Sequence, residues 1–411
     1  MFSSLRHRNY RIYLAGQTIS LIGTWVQGLA TSWLVYSLTK SPFWLGMTGF
    51  ATQIPTFIFS IFTGVYVDHA KKHRLLLWTQ SLALIQALIL AIISYTGHAN
   101  IWIVLFLNFF LGTINAFDMN ARQSFVVYMV PDKKDLPNAI ALNSTIANGT
   151  RLIGPMMAGI AIATFGETIC FIINAISFIA VLIALLMIKV HEPEPKKFEI
   201  RKIFDQFKIG FHATFKHPAI SLLILFLASS SFFGMPYINL FPEMGKYIGE
   251  NNSKTLGIIT SMSGIGSMVA AIILARRSGP PKLARVIGFG GFLMGLSIAL
   301  CLMIKNFYWM LFWITFAGMG LMFQLSSTNT MVQTLVEDDK RSRVLSFLLL
   351  SMMGISPFGS LMMGWISEYI GIKPTLIIFG LICSFGAITF LRNAKFVNEN
   401  LDLHLNQNLK K

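Results

Sequence analysis

Gly64, Asp68, Lys71, Lys72 and Arg74 gather one acid and several bases in a short stretch between two runs that are otherwise apolar. A charged cluster between two apolar runs needs a reason beyond solubility, and its side chains can make and break ion pairs. Asp118 and Arg122 stand one helical turn apart, the spacing of an i,i+4 pair. They could extend a charge network to Lys72 or Arg74. Arg151 lies well inside an apolar run. A charge there costs about 2.5–3.5 kcal/mol even on insertion scales, so it should face a cavity or a partner. Gly154 and Pro155 follow closely, and Pro removes an intrahelical bond while Gly permits close approach, so the pair can make a kinked, tightly packed interface.

Other chemistries lack their residues. No Gly-x-x-x-x-Gly-Lys-Ser/Thr loop is present to cradle a nucleotide phosphate. No His/Cys cluster has metal-ligand spacing, and no nucleophile constellation appears, so neither an enzyme nor a metal site is expected. His69 and His73 belong to the basic stretch. Cys170, Cys301 and Cys383 all sit in apolar segments and read as packing residues.

The elements that position these residues are long and apolar. At 54% apolar and 12% charged over 411 residues, the chain reads as a polytopic membrane protein. Apolar spans are predicted near Ile12 to Leu38, Pro42 to Val67, Leu75 to Tyr95, Trp102 to Val126, Ala139 to Phe165 and Thr168 to Ile188. Six more lie near Pro218 to Phe241, Leu256 to Ala275, Leu283 to Ile304, Phe307 to Leu335, Val344 to Ile366 and Pro374 to Leu391. Most reach the roughly 20 residues needed to cross a ~30 Å hydrocarbon core. Ten-residue alternating strands are missing, so the fold class is an all-α membrane protein with twelve transmembrane helices rather than a barrel.

Charge orients them. Of 33 Lys and Arg, Lys40, Lys246, Lys254, Lys305 and Lys373 fall in the loops on one side, Arg151 lies within a span, and the rest fall on the other side or in the tails. The positive-inside rule then puts both termini in the cytosol of a cell inner (plasma) membrane protein. The net charge of +16 follows from the same bias and is spread over many short loops, so no nucleic-acid partner is expected. Trp44, Tyr95, Trp102, Tyr237, Tyr308 and Tyr369 are expected in the outer interfacial belt. The first apolar run is too long for a signal core, and Met1 to Arg11 reads as a basic cytosolic tail.

The longest cytosolic stretch runs from Lys189 to His217, opening with His-Glu-Pro-Glu-Pro and continuing with Ile200, Ile203, Phe204, Phe207, Phe211 and Phe215 at helical spacing. That is the pattern of an interfacial amphipathic helix. A shift of 211 places Leu45-Gly46 on Leu256-Gly257, Lys71 on Lys282 and Arg74 on Arg285, and a shift of 206 places Val130 to Lys134 on Val336 to Lys340. The expected organisation is an N-terminal six-helix bundle (1–189), a linker (190–217), a C-terminal six-helix bundle (218–395) and a cytosolic tail (396–411). Two related bundles with a substrate site between them near the midplane is a transporter plan.

Six plus six spans with Gly64, Asp68 and a basic run after the second resemble the major facilitator superfamily, whose loop signature there is Gly-x-x-x-Asp-Arg/Lys-x-Gly-Arg-Arg. The closer resemblance is to the branch of the enterobactin exporter, macrolide efflux proteins and transmembrane secretion effectors. It rests on Phe117 to Phe125, Asn138 to Ser144, Asn148 to Gly159, Gly234 to Tyr237 with Pro242, Val332-Gln333 with Arg341 to Val344, and Gly354 to Gly359. The chain carries Asn120 where that branch usually has Pro, and Ser342 where it usually has Gly.

The resemblance implies a secondary active transporter working by alternating access, driven by the proton gradient and needing no cofactor. Its implied cargo is a small amphipathic metabolite such as a siderophore, with multidrug or macrolide-type efflux and lysophospholipid flipping as alternatives. It implies that Gly64, Asp68, Lys72, Arg74, Asp118 and Arg122 gate the cytosolic side, with Asp68 accepting bonds from the start of span eleven, and that Gly154-Pro155 forms an antiporter-type hinge. Gln27, Asn115, Arg151, Phe233, Gln324 and Asn329 are the expected substrate-contacting residues. The expected partners are a small-molecule substrate and the lipid bilayer, with the protein acting as a monomer.

Overall fold

The computed structural model describes residues 3–132, 134–190, 192, 211–212, 214–250, 252–276, 282–336, 341–399 and 401; the side chains at 60, 61, 64, 65, 68, 144, 147, 148, 151, 152, 155, 156 and 341–343 lie outside that description. The predicted amphipathic helix after Lys189 falls mostly outside the described residues. Only its last turn is described, where Phe211 packs on Phe215 at 4.6 Å between ring centroids.

Among the described residues the chain is helical and has no strand. The first four helices are α1 (Arg8–Thr39), α2 (Pro42–Asp68), α3 (Lys72–Tyr95) and α4 (Ile101–Met129). The run Leu136–Met187 is divided by Gly166, whose φ of 76° an L side chain rarely adopts, into α5 (136–165) and α6 (167–187). Then come α7 (Pro218–Phe233), α8 (Ser253–Ala275), α9 (Leu283–Leu300), α10 (Phe307–Leu335), α11 (Arg341–Leu349 continuing as Ser356–Ile370) and α12 (Ile372–Arg392). These are the twelve expected helices. Among the described residues, nine stretches are long and apolar enough to cross a membrane by length and composition. α1 is not one of them, for it carries Gln17, Ser20, Gln27 and Thr31, all buried.

The internal repeat reappears as repeated local devices. Asn100 caps α4 by accepting from the Trp102 amide at 2.9 Å, and Asn306 caps α10 by accepting from the Trp309 amide at 3.0 Å. Each supplies an acceptor for a helix-opening amide that has no intrahelical partner. Gly166 separates α5 from α6, and Gly371, with φ 85°, separates α11 from α12.

Contacts divide the chain into two units, one of Met1–Lys40, Ala51–Ile200 and Asn252–Ile258, the other of Ser41–Phe50, Arg201–Asn251 and Ile259–Lys411. In the first, α1 packs along the α5–α6 run, and α3 packs against that run and α4. The second repeats the scheme, with α7 against α12 and α9 against α12 and α10. Helix α6 shows how sequence sets the packing. Phe171, Ala175, Phe178 and Val181 are buried, while Ile172, Ile176, Ile179, Ile183 and Leu186 form an exposed apolar stripe at helical spacing. An apolar stripe facing away from its own bundle is what a lipid solvent selects.

Two helices are interrupted, each for a local reason. α7 stops at Gly234 and continues through a 3-10 turn (Met235–Leu240) and a short helix (Phe241–Tyr247). This turn overturns the expected interfacial position of Tyr237. The side chain is rotated inward, is fully buried, and its hydroxyl lies 3.2 Å from that of Ser263 on α8. Tyr95, Trp102, Tyr308 and Tyr369 are exposed. α11 loosens into a π turn at Leu350–Gly354, directly before Pro357 in the next turn. Pro357 has no N–H to bond the preceding turn, which accounts for the slack.

Candidate functional site

Around the α2–α3 turn, α2 runs to Asp68, but the side chain of Asp68 and the surroundings of Gly64 lie outside the described residues. α3 begins at Lys72, with Lys71 at its N-cap making no side-chain cap. Lys72 is buried; its Nζ donates to the Ala70 carbonyl at 3.3 Å and lies 5.8 Å from the Tyr128 ring centroid. Arg74 is exposed and makes no ion pair among the described residues. The His73 ring stacks on Phe125 at 5.7 Å, and its Nε2 bonds the Leu185 carbonyl at 2.8 Å. A residue the sequence reading passed over completes the turn. The Glu192 carboxylate accepts from the backbone amides of Lys72 at 2.6 Å and His73 at 2.7 Å.

The second cluster lies inside the first unit. Asp118 is 1% exposed and takes both the Nε and an Nη of Arg122. It also accepts from the Thr79 hydroxyl at 2.8 Å and the Gln80 amide at 2.7 Å, both on α3. Among the described residues Asp118 makes no direct ion pair with Lys72 or Arg74. The carboxylate is already saturated by donors nearer to it, as an anion removed from water requires. Asn120, in the usual place of Pro, lies in unbroken helix and donates to the Thr63 hydroxyl of α2 at 2.9 Å. The substitution therefore replaces a possible kink with a cross-helix bond.

On α5, the side chains of Arg151 and Pro155 lie outside the described residues, whereas Gly154 lies within them and is buried. A methyl group at Gly154 would stand 2.6 Å from Cβ of Trp25 on α1, so glycine is what lets these helices meet. Five residues on, Gly159 meets Gly257 of α8 with equally little room.

The expected substrate residues fall into distinct environments. Gln27 is buried, and both ends of its amide are engaged: it donates to Gln86 Oε1 at 2.9 Å and accepts from Asn174 at 2.7 Å. Asn115 is half-buried on α4. In the second unit, Gln324 is fully buried and donates to the Ser230 hydroxyl at 2.6 Å. Phe233 is half-buried, edge-on to Phe379 at 5.6 Å. Asn329 is exposed and accepts from Gln333 at 3.0 Å. The structure thus brings Asp118 and Arg122 together. Gln27 is bonded at both ends of its amide, whereas Gln324 is bonded through its nitrogen and its buried Oε1 has no partner among the described residues.

These helices, their glycine-mediated crossings and their buried polar pairs suit a polytopic helical membrane protein, and comparison with known proteins gives its family. The family model described as "Transmembrane secretion effector" matches residues 1–410. The chain belongs to that family, within the major facilitator superfamily. This family member is similar to the staphyloferrin A transporter of Staphylococcus aureus, 26% identical, with 97% of this chain and 98% of that one covered. It is also 28% identical to the multidrug resistance protein MdtG of Proteus mirabilis, over 64% of each chain. Among solved structures, a bacterial homologue of the human lysosomal transporter Spinster, in an inward-facing and unoccupied conformation, superposes with a TM-score of 0.75 at 12% identity. It covers 96% of this chain and 98% of that one. The fold is accordingly that of the major facilitator superfamily. The relatives and structural neighbours are transporters, and the protein is not an enzyme.

The second unit holds another carboxylate the sequence reading left aside. Glu368, at the end of α11, accepts from the Ser41 hydroxyl at 2.6 Å and the Phe43 amide at 3.3 Å, at the start of α2. Beside it Gly46 and Gly364 meet backbone to backbone, and Ser360 donates to the Gly46 carbonyl at 3.1 Å. Neither Glu192 nor Glu368 could be paired from sequence spacing, because their partners lie 120 and 327 positions away.

Proposed function

We propose that this protein is a proton-driven exporter of a small, amphipathic, anionic metabolite such as a siderophore, working by alternating access in the cell inner membrane with both termini in the cytosol. The observation that carries this reading is the end-to-end similarity to a siderophore transporter, against similarity over about two thirds of the chain to the drug-resistance relative. Arg151 supports it. An arginine in an apolar run of the sequence favours an anionic ligand and repels a cationic one if it faces the cargo. The basic bias of one set of loops supports the orientation.

In this reading the α2–α3 turn gates the cytosolic side, with Asp68 as its acid. A carboxylate against a helix N-terminus gains about 0.3–1 kcal/mol, up to about 2 when partly buried. That biases a two-state gate without locking it. The Gly154 crossing is the hinge-side contact, and proton movement supplies the energy.

The test is deletion of the gene followed by analysis of the cell contents and medium. An iron-chelating or other acidic product should accumulate inside, and Arg151→Gln should impair its export more than Arg151→Lys does. If deletion alters only sensitivity to cationic drugs, or if Arg151→Gln exports the anion normally, multidrug efflux becomes the better reading. That alternative has its own support in the similarity to MdtG.

A further inference from the structure

We propose that Glu192 is a positioning residue of the α2–α3 gate, fastening the segment that follows α6 to the first turn of α3. This rests on the reading of the α2–α3 turn as a gate. The argument begins with an anomaly in the sequence of α3. A helix N-terminus carries partial positive charge and amides without intrahelical partners, and it favours Ser, Thr, Asp or Asn at the cap and acids in the first turn. α3 has Lys71 at its cap with no side-chain bond, then Lys72, His73 and Arg74, and no acid in the first turn. Read alone, that is a helix start charged the wrong way.

Glu192 corrects it from outside the helix. Its two oxygens each take one opening amide, Oε2 from Lys72 at 2.6 Å and Oε1 from His73 at 2.7 Å, a two-point, charge-assisted contact. A second tie runs parallel to it, since the His73 ring bonds the Leu185 carbonyl in the last turn of α6 at 2.8 Å. The end of α6 and the beginning of α3 are therefore joined at two places. A Ser or Asp at position 71 would cap α3 locally, without crossing 120 residues of chain. The bases needed in the loop occupy that position instead, and the cap comes from the segment that leads away from α6. Glu192 thereby ties the end of α6 to the gate.

The experiment uses the full-length protein, with Cys170, Cys301 and Cys383 replaced, in sealed proteoliposomes of one orientation that take reagent outside or enclosed, and two readouts. The first is hydrogen exchange of the amides at 72 and 73. The second is the ratio of alkylation of a single cysteine at position 115 by an impermeant maleimide added from either side, which reports the balance of gate states without a substrate. Glu192→Ala should speed exchange at 72 and 73 by about tenfold, the size of a lost cap. It should also shift the labelling ratio several-fold.

Adding Lys71→Ser to Glu192→Ala should restore slow exchange by a local cap but leave the labelling ratio shifted from that of Lys71→Ser alone. If the local cap restores both, Glu192 is only a helix cap and the proposal fails. If Asp68→Asn shifts the ratio and Glu192→Ala does not, the fastening role fails while the gate stands. If Glu192→Ala shifts it and Asp68→Asn does not, the role assigned to Asp68 in the gate fails instead.

Discussion

Buried Asp118 and half-buried Arg122 form an ion pair one turn apart on α4, and the carboxylate is completed by Thr79 and Gln80 of α3. The pair therefore joins two helices rather than decorating one. Removing one member strands the other. Asp118→Asn should lower the thermal stability of the purified protein by on the order of 3 kcal/mol, and the double variant Asp118→Asn/Arg122→Gln should recover part of that loss, because no uncompensated charge remains. Thermal unfolding of the four proteins as a double-mutant cycle measures the coupling. Additive effects would show that the two residues do not act as a pair.

Gly149 and Gly154 of α5 should respond in opposite ways to the same methyl group. At Gly149 nothing lies within 4 Å of an added Cβ, whereas at Gly154 the Trp25 Cβ and Cγ both lie at 2.6 Å. Gly149→Ala should be neutral or stabilising by about 0.4–1 kcal/mol. Gly154→Ala should cost about 1–3 kcal/mol through overpacking. Trp25→Ala should relieve only part of this, since Cβ of residue 25 remains in the way. Melting temperatures in detergent decide the order.

Acid should loosen the beginning of the chain. Hydrogen bonds from Ser3 and His7 hold the Asp135 carboxyl below its ordinary range, and the Asp135 carboxylate lies 2.9 Å from the His7 ring nitrogen. A carboxylate whose folded-state value is depressed stabilises the fold above its unfolded value, and this contribution disappears as the pH falls through the folded-state value. The tether of the segment Ser3–Arg6 should thus persist at neutral pH and weaken below the ordinary carboxylate range. A fluorophore at the exposed position 6 should gain mobility on acidification, and Asp135→Asn should show that mobility already at pH 7. Equal mobility of the two proteins at pH 7 would remove Asp135 from the tether.

Topology can be checked with single cysteines in a cysteine-free background. Positions 74, 134 and 189 should be shielded from an impermeant thiol reagent outside the cell, while 98, 250 and 305 should label. External labelling at 74 would reverse the orientation that the basic loops imply.

The sequence by itself determined the class, the number of helices and most of their limits. In lipid each span must be apolar, long and internally hydrogen-bonded, and those demands are met within a local stretch of chain. It also determined the pairing of Asp118 with Arg122, because helical periodicity places residues four apart on one face. What only the tertiary structure decided is every partnership between distant helices. Gln27 has a substrate-like residue type, yet its amide is taken up by Gln86 and Asn174. Tyr237 reads as an interfacial tyrosine until the turn at Gly234 rotates it inward. The basic opening of α3 makes physical sense only once Glu192 arrives from beyond α6. A carboxylate reaches its donors through space, and the spacing between them along the chain carries no record of that contact.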